Sequence, residues 1–406
     1  MRNVAIAGAG MTRFAKYQDR GLKELTDEAV SAALESSGID KSGLQVAVVG
    51  NAAAGLITGQ ECIRAQVVLR EMGIDKIPMV NTENACASSS TAFQIAWLYV
   101  ASGLYDVALA VGVEKMFVQD KAKSMAAFSG AVDVEQLREL MSNLKPPSEK
   151  KAGKESGAGT KRSLFMDIYG AAARAHMKRY GTTKEHYARI AVKNHNNGSL
   201  NPNAQYQERY TLEEILASPM VSEPLTRLMC SPIGDGAAAT VLVSEEKAKQ
   251  ITTNPVWVKG SAIVSGADNR GEVGSATGRA AQRAFEMAGM TPRDINVIEL
   301  HDATAPAELM IYEELGLCEE GEGGKLIDEG ATEIGGRLPV NTSGGLLAKG
   351  HPVGATGIAQ IYEIWLQLRG EAGGRQVAGA KVGLTENGGG MVRGEAAATT
   401  VHILAK

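Results

Sequence analysis

The pattern of apolar and polar positions repeats along the chain. Residues 29–50 read as an amphipathic helix, a glycine, a polar turn and an apolar strand, and residues 280–301 follow the same plan. When the two stretches are aligned, Gly38 matches Gly289. A glycine at the end of each helix is typical of a left-handed C-cap. The pattern therefore predicts two copies of one helix–turn–strand unit.

A second match follows each unit. The sequence Val-Asn-Thr occurs at 80–82 and again at 340–342, each time ahead of a predicted helix and a predicted strand. The helices are predicted at 87–103 and 357–369, and the strands at 106–112 and 378–383. A repeated order of strand, helix and strand predicts an α/β fold with two similar halves.

The region between the two halves has a different composition. Its segment 145–163 is rich in lysine, glycine, serine and proline, which predicts a loop rather than a regular element. We therefore expect an N-terminal half from residues 1–117 and 229–250, an inserted loop domain over 118–228, and a C-terminal half over 251–406.

Composition narrows the class of protein. With 44% hydrophobic and 22% charged residues and a net charge of −4, a globular protein is expected and a nucleic-acid partner is not. No apolar run approaches the ~18–20 residues of a membrane span, and no signal-peptide pattern begins the chain, so a cytoplasmic protein is expected. The four cysteines lie far apart without ligand spacing, so we expect neither a disulfide framework nor a metal site.

Cys86 is the first candidate for chemistry. It follows the turn-forming residues 81–84 and precedes a long apolar run that predicts a buried helix. A thiol at the first turn of such a helix faces unpaired N–H groups and the positive end of the helix dipole, which favours the nucleophilic thiolate. The alternative is a small, inert, buried side chain, since free cysteines are often buried.

Two histidines stand at sites that suit proton transfer or hydrogen bonding. His351 is in the glycine-rich segment 349–357, ahead of a predicted helix, where it could act as a base toward a thiol from the equivalent loop of the other half. His301 follows a predicted buried strand and could donate a hydrogen bond to a carbonyl oxygen. Either histidine could instead be structural, with His301 and Asp302 forming a capping dyad.

A third loop is predicted at 383–397. Glu386 and Asn387 are the polar groups that it presents, and the glycines that follow, including Gly388 and Gly389, permit close approach of a ligand.

The basic residues of segment 148–163 could contact a ligand phosphate, because lysine and arginine are the usual partners of phosphate oxygens. The alternative is a solvated loop without a ligand. The residues in question are Lys150, Lys151, Lys161 and Arg162.

Taken together, these segments resemble those of the thiolase superfamily, and the resemblance spans nearly the whole chain. Residues 81–93 are similar to the thiolase nucleophile loop, 350–357 to its histidine loop, and 234–245 to the strand that closes its first half. The His-Asp pair at 301–302 is closest to the motif of sterol-carrier-protein-type and archaeal acetyl-CoA acetyltransferase-like thiolases.

This resemblance implies a five-layer αβαβα fold of two duplicated halves with an inserted loop domain. It implies coenzyme A thioesters as substrates, no tightly bound cofactor, a homodimer or homotetramer, and a role in lipid metabolism. By position, Cys86 would take up the acyl group, His351 would accept the thiol proton and His301 would hold the thioester oxygen. The loop domain would bind the coenzyme through the basic residues named above, together with Gly388 and Gly389.

One position departs from the family pattern. Thiolases of the usual type have a second cysteine, in a Cys-x-Gly motif, as the acid or base for the substrate α-carbon, but here that place has Glu386 and Asn387. A base with a pKa near the working pH is needed there. The candidates for an acid or base are Glu386, with its pKa raised by burial, its neighbour Asn387, and His301.

The predicted activity is acyl transfer, either cleaving a 3-ketoacyl-CoA with a thiol or forming one by Claisen condensation. Two alternatives are a thiolase-like carbon–carbon lyase of the retro-aldolase type and a ketosynthase-like condensing enzyme. The family also implies that a small OB-fold or zinc-ribbon partner protein could be required.

Overall fold

The computed structural model describes residues 1–143 and 163–406. The strands are β1 Val4–Met11, β2 Val46–Gly50, β3 Met79–Thr82, β4 Val107–Glu114, β5 Met220–Ser222, β6 Leu225–Thr226, β7 Gly236–Ser244, β8 Val256–Ser265, β9 Val297–Glu299, β10 Val382–Val392 and β11 Glu395–Ala405. The helices are α1 Leu22–Ser37, α2 Ala54–Thr58, α3 Arg64–Arg70, α4 Ser88–Ala101, α5 Lys121–Ser129, α6 Val134–Asn143, α7 Leu164–Tyr180, α8 Lys184–Gly198, α9 Leu212–Ala217, α10 Glu245–Ile251, α11 Arg270–Val273, α12 Ala276–Ala288, α13 Ala305–Glu314, α14 Gly323–Asp328, α15 Gly345–Ala348 and α16 Thr356–Arg369. Within these residues, every helix is too short or too polar to cross a membrane.

The main sheet confirms the predicted repeat. Nine strands are hydrogen-bonded in the order β3-β2-β4-β7-β1-β8-β11-β10-β9. β1 and β8 are joined by only two residue pairs, so the sheet consists of two halves that meet at a narrow seam. In each half, the strand after the first long helix lies parallel to the strand after the central helix, β2 to β4 and β9 to β10. The matched glycines Gly38 and Gly289 end α1 and α12 with left-handed φ angles of 66° and 64°.

The order of the helix and sheet layers depends on which helices have apolar side chains on every side and must therefore be buried. α4 has apolar or small side chains around most of its circumference, so it must be covered from both directions. It packs against α16, and one core cluster joins Phe93 of α4 and Ile361 of α16 to Val48 and Val297 from the two halves of the sheet. α1 and α3 cover the outer face of the N-terminal half, and α12 and α13 cover that of the C-terminal half. This is the expected αβαβα order.

Between β4 and β7 the chain forms helices α5 to α9 and the two-stranded ribbon of β5 and β6. α8 packs against α13, α14 and α15 of the C-terminal half. Met166 and Tyr169 of α7 form part of the wall of the main cavity. The helices of this region therefore help to enclose the site described below.

The prediction of a loop at 383–397 is wrong, because most of this segment forms strands. β10 runs from Val382 to Val392, and β11 begins at Glu395 and pairs with it antiparallel. Glycine and polar residues are poor strand formers, which concealed this element in the sequence. β10 is held by β9 on one edge and β11 on the other, so tertiary pairing overrides the local preference.

Candidate active site

Cys86 and His351 meet at the N-terminal ends of the two central helices. Cys86 lies in the 3-10 turn Ala85–Ala87 that leads into α4, and His351 precedes the turn Val353–Ala355 that leads into α16. Nε2 of His351 is 3.2 Å from Sγ of Cys86. The two halves of the repeat thus bring one thiol and one imidazole to the same point.

A hydroxyl group determines which nitrogen of His351 is basic. Nδ1 of His351 lies 2.7 Å from Oγ1 of Thr356, and this hydroxyl donates its proton to the carbonyl oxygen of Pro352 at 3.2 Å. Because a hydroxyl has one proton, Nδ1 is the donor in the first contact when that proton is directed at Pro352. Nε2 therefore presents its lone pair to the thiol of Cys86.

Replacing Thr356 by valine is expected to slow acylation of Cys86 by about 10- to 100-fold, part of the ~10²–10⁴-fold that a positioned base supplies. Valine keeps the shape of the side chain but removes the acceptor that selects the tautomer of His351. The rate is measured as adduct formation by rapid-quench intact-mass analysis. Thr356→Ser, which keeps the hydroxyl, is the control and should stay near the wild-type rate. An unchanged rate in Thr356→Val would show that the hydroxyl does not set the tautomer.

The resting pair is neutral. Burial raises the pKa of the Cys86 thiol to about 12, and the nearby carboxyl of Glu114 adds to the rise. Burial, followed by His301 and Lys349, lowers the pKa of His351 well below its usual value. The predicted resting thiolate is therefore wrong, because desolvation outweighs the helix terminus. Proton transfer to His351 must accompany attack on a substrate rather than precede it.

Each half of the sheet holds the loop of the other half. Glu114, at the end of β4, accepts N–H groups from Ala52 at 3.0 Å and from Gly354 of the histidine loop at 2.9 Å. Gly389, on β10, lies so close to the nucleophile loop that a Cβ there would be 2.0 Å from the carbonyl oxygen of Asn84. These crossed contacts fix the separation of the two loops.

The histidine loop is anchored by a buried ion pair. Nζ of Lys349 lies 3.3 Å from Oε2 of Glu299, and both side chains are excluded from solvent. Between Lys349 and His351, Gly350 has a φ of 106°, a conformation that side chains other than that of glycine rarely adopt. This left-handed residue turns the chain so that the imidazole enters the cavity while the lysine stays in the core.

His301 completes the set of reactive side chains. The donor atoms of Cys86, His301 and His351 lie within 4.8 Å of one another, a spacing that would also suit a metal ion. Nε2 of His301 is buried and has no hydrogen-bond partner among residues 1–143 and 163–406. Burial lowers the pKa of His301 to about 4, so its ring is neutral. A neutral imidazole with an unpartnered nitrogen is suited to bind a substrate oxygen.

Asp302 has a structural task instead. Its carboxyl group is buried and accepts the N–H of Leu346 at 2.7 Å, at the start of α15, and the side-chain amide of Asn194 at 2.8 Å. The capping role considered for the His301–Asp302 pair therefore applies to Asp302.

Glu386 faces the same cavity as the three residues above. Successive side chains of a strand point to opposite sides, and on β10 the cavity is lined by the alternate residues Glu386, Gly388 and Gly390, and by Met391 near the end of the strand. Oε2 of Glu386 accepts the backbone N–H of His301 at 3.0 Å. Burial raises the pKa of Glu386 to about 8. The carboxyl group therefore exchanges protons near neutral pH, as an acid or base must.

Asn387 points away from the cavity. Its Oδ1 accepts the hydroxyl of Ser90 at 2.9 Å, so it ties β10 to α4 and is not placed to act as an acid or base. A Cβ at Gly388 would make ordinary contacts with Glu386 and His301, whereas Gly389 packs closely on the loop that holds Cys86. The other predicted coenzyme contacts, Lys150, Lys151, Lys161 and Arg162, lie outside the described residues.

The cavity has a volume of about 1220 Å³ and is large enough for an extended ligand. Apolar side chains form much of its wall, including Met116, Phe128, Met166 and Met310. An extended ligand with an apolar portion would fit against these side chains and reach Cys86.

Sequence reasoning missed two contributors to this site. Thr356 selects the tautomer of His351, but nothing in the sequence relates a threonine to a histidine five residues earlier. The backbone N–H groups of Gly390 and Cys86 act to lower the pKa of the Cys86 thiol, against the larger effect of burial. The run of glycines signalled a close approach of the backbone, but not that this backbone would affect the pKa of Cys86.

Comparisons with known proteins agree with this geometry. The thiolase N-terminal domain matches residues 4–246, and the thiolase C-terminal domain-like family matches residues 265–406. An acetyl-CoA acetyltransferase of Methanothermobacter thermautotrophicus is 41% identical over 411 residues, covering 100% of both chains. Sterol carrier protein 2 of Bos taurus is 38% identical and covers 97% of this chain and 72% of that protein. Among solved structures, the Ltp2-ChsH2(DUF35) aldolase is 28% identical with a TM-score of 0.78, over 99% of this chain and 97% of that one. Because these matches span both halves of the molecule, the chain belongs to the thiolase family of acyltransferases.

Proposed function

We propose that this protein transfers an acyl group from a coenzyme A thioester to Cys86 and thereby cleaves or forms a 3-ketoacyl-CoA. The observation on which this rests is the 3.2 Å contact between Sγ of Cys86 and Nε2 of His351, at the wall of a cavity that also contains His301 and Glu386. The acetyl-CoA acetyltransferase name of the full-length relative supports the same substrate class.

In the first half-reaction, Nε2 of His351 takes the thiol proton while Sγ of Cys86 attacks the carbonyl carbon of an acyl-CoA. The oxyanion that forms would be held by His301 Nε2–H or by the N–H groups of Cys86 and Gly390, since preorganised donors stabilise such charge strongly. The C–S bond to coenzyme A then breaks, and His351 returns the proton to the departing sulfur. The acyl group remains as a thioester on Cys86.

In the second half-reaction, the carboxylate of Glu386 removes a proton from the α-carbon of a second acyl-CoA. The resulting carbanion attacks the thioester carbon on Cys86, so that a C–C bond forms and the bond to Sγ breaks. His301 is placed to stabilise the enolate oxygen. In the thiolytic direction, Glu386 begins as the carboxylic acid and gives its proton to the enolate.

The two alternative activities are not favoured. A retro-aldol cleavage needs no thiol nucleophile, yet Cys86 and His351 are held at 3.2 Å with a defined tautomer. The aldolase structure is 28% identical, whereas the acetyltransferase relative is 41% identical. A ketosynthase would obtain its carbanion by decarboxylation and would need no base at Glu386.

The test is a turnover assay with acetoacetyl-CoA and coenzyme A, followed by product analysis. Loss of the 3-ketoacyl absorbance with formation of acetyl-CoA is expected. Malonyl-CoA and a β-hydroxyacyl-CoA serve as control substrates for the two alternative activities. Consumption of either control substrate without turnover of acetoacetyl-CoA would overturn the proposed function.

We further propose that the chain assembles as a homodimer or homotetramer in the cytoplasm and that a small partner protein binds it. β3 is an edge strand of the sheet. Leu98, in the neighbouring α4, and Leu104, just after that helix, are 39% and 63% exposed. The name of the aldolase structure joins two proteins, Ltp2 and ChsH2(DUF35), which supports a partner of that kind. Sedimentation velocity of the purified chain would show a species larger than 42.7 kDa, and a monomer at micromolar concentration would contradict the assembly.

A further inference from the structure

Three side chains of the active site also form a set of metal ligands. Cys86, His301 and His351 each offer one ligand atom, and these atoms all lie within 4.8 Å of one another. In a tetrahedral zinc site, with Zn–S of about 2.3 Å and Zn–N of about 2.0–2.1 Å, sulfur and nitrogen are roughly 3.5 Å apart. Sγ of Cys86 and Nε2 of His351 are 3.2 Å apart. Small rotations of the side chains would therefore place all three atoms on one cation.

The unpartnered nitrogen of His301 is an independent observation that points to a ligand. The side chain is 7% exposed, and its Nε2 has no hydrogen-bond partner within residues 1–143 and 163–406. A buried polar atom in this state costs free energy until something binds it. The ring of His301 lies edge-on to that of His351, with 5.2 Å between the ring centres. A cation bound to Nε2 would satisfy this nitrogen, with the ring proton on Nδ1.

The ring of His351 is already oriented as a metal ligand. Its Nδ1 lies 2.7 Å from Oγ1 of Thr356, which leaves the lone pair of Nε2 directed at Cys86. Histidine ligands of zinc commonly make such a contact through their other nitrogen, and it fixes the ring. His301 follows β9, whereas Cys86 and His351 precede α4 and α16. Regular elements of both halves therefore hold the three ligands in place.

The donor atoms select the class of metal. One sulfur and two imidazole nitrogens suit Zn²⁺, whereas Mg²⁺ and Ca²⁺ prefer oxygen ligands. Within the described part of the chain, no fourth histidine, cysteine or carboxylate belongs to this group. Three protein ligands leave a fourth position for water, as in zinc sites that stay open. The ligands line the cavity of about 1220 Å³, which gives the cation room to reach them.

We propose that Cys86, His301 and His351 together bind one Zn²⁺ ion, and that the metal-bound protein cannot be acylated. When the ion binds, the S–H bond of Cys86 breaks, its proton passes to the buffer and a Zn–S bond forms. Each imidazole gives a lone pair to the ion, which releases water in exchange, and no electron is transferred. The block on acylation rests on the proposed function: the sulfur cannot attack a thioester and Nε2 of His351 cannot take a proton while both are bound to the metal.

The binding test uses the full-length protein without substrate, treated with EDTA and then titrated with ZnCl₂ or CoCl₂. We expect one ion per chain by native mass spectrometry and a thiolate-to-cobalt charge-transfer band with Co²⁺. Cys86→Ala should lose this band and bind zinc more weakly by over 100-fold, beyond the ~10–100-fold that loss of an outer contact costs. Cys230→Ala, which removes another thiol of the same cavity, is the matched control and should bind like wild type.

Two further readouts do not depend on the folding of Cys86→Ala. At about ten times its dissociation constant, Zn²⁺ should slow alkylation of Cys86 by iodoacetamide about 10-fold in wild type, because only the free thiol reacts. Alkylation of the exposed Cys62, mapped in the same digest, should not change. Thr356→Val should weaken zinc binding by about 10–100-fold, and Thr356→Ser should not. Zinc that binds wild type and Cys86→Ala equally, or that leaves alkylation of Cys86 unchanged, would overturn the site.

The failure of the metal site and the failure of the proposed function are distinguishable. If the EDTA-treated protein forms no acyl adduct but zinc protects Cys86, the proposed function fails and the metal site stands. If the EDTA-treated protein is acylated and saturating Zn²⁺ leaves the rate of acylation unchanged, the metal site is overturned and the function stands.

Discussion

Cys86→Ala is expected to lose every acyl adduct and to reduce turnover by about 10³-fold or more, the scale found when a catalytic nucleophile is removed. Alanine removes the sulfur that bonds to the acyl carbon while leaving the backbone N–H groups and both histidines in place. Intact-mass analysis after incubation with acetyl-, propionyl-, octanoyl- and acetoacetyl-CoA detects the adduct. The largest adduct that forms on wild type also indicates how much of the 1220 Å³ cavity is available to the acyl chain.

The chain provides a matched control for this experiment. Cys230 lines the same cavity, and burial raises its pKa to about 12, as for Cys86. It has no contact with either cavity histidine among the hydrogen bonds of the described residues, its sulfur lying 3.5 Å from the carbonyl oxygen of Thr226. Cys230→Ala should therefore keep the adduct. An adduct that survives Cys86→Ala and disappears in Cys230→Ala would show that Cys230, and not Cys86, is the nucleophile.

Glu386→Gln is expected to reduce turnover by about 10²–10⁴-fold while Cys86 is still acylated at the wild-type rate, because only the second half-reaction needs an acid or base at the α-carbon. Glutamine keeps an oxygen that can accept the N–H of His301, now at 3.0 Å, so the wall of the cavity should stay in place. Single-turnover mass analysis and steady-state turnover are measured on the same preparation. Turnover at the wild-type rate in this variant would remove Glu386 from the mechanism.

The same residue gives the two directions opposite pH dependences. The folded-state pKa of Glu386 is about 8, raised by burial, so the carboxylate that removes a proton becomes populated as pH rises through 8. Condensation should therefore accelerate with pH in that range, and thiolysis, which needs the acid, should slow. Burial raises the pKa of Glu114 to about 7, so a second titration lies nearby. The part of the profile that Glu386→Gln abolishes belongs to Glu386.

Acylation alone should show no such titration. The pKa of Cys86 is about 12 and that of His351 lies well below its usual value. Neither group therefore changes its protonation state in the pH range between these two pKa values. A flat acylation rate beside a sloping turnover rate would separate the two half-reactions without any mutation.

Much of the fold could be predicted because its determinants are local. The helix–glycine–strand units at 29–50 and 280–301 have the periodicities of their elements, and Gly38 and Gly289 end the two helices as expected. The apolar run after residue 90 predicted a helix that is almost entirely buried, and in the structure this helix is α4, which packs against α16 between the two halves of the sheet. The local composition predicted a loop at 383–392, but pairing with a strand on each edge makes this glycine-rich segment a strand.

The sequence by itself determined the duplicated α/β architecture and the identity of Cys86, His301, His351 and Glu386 as the groups to examine, because periodicity, caps and reactive residue types are properties of short segments. Only the tertiary structure decided their protonation and their partners. Burial makes Cys86 a thiol rather than a thiolate, and Thr356 selects the basic nitrogen of His351. The alternation of side chains along β10 directs Glu386 into the cavity and Asn387 away from it. These features depend on desolvation and on contacts between segments up to about three hundred residues apart, which no local pattern specifies.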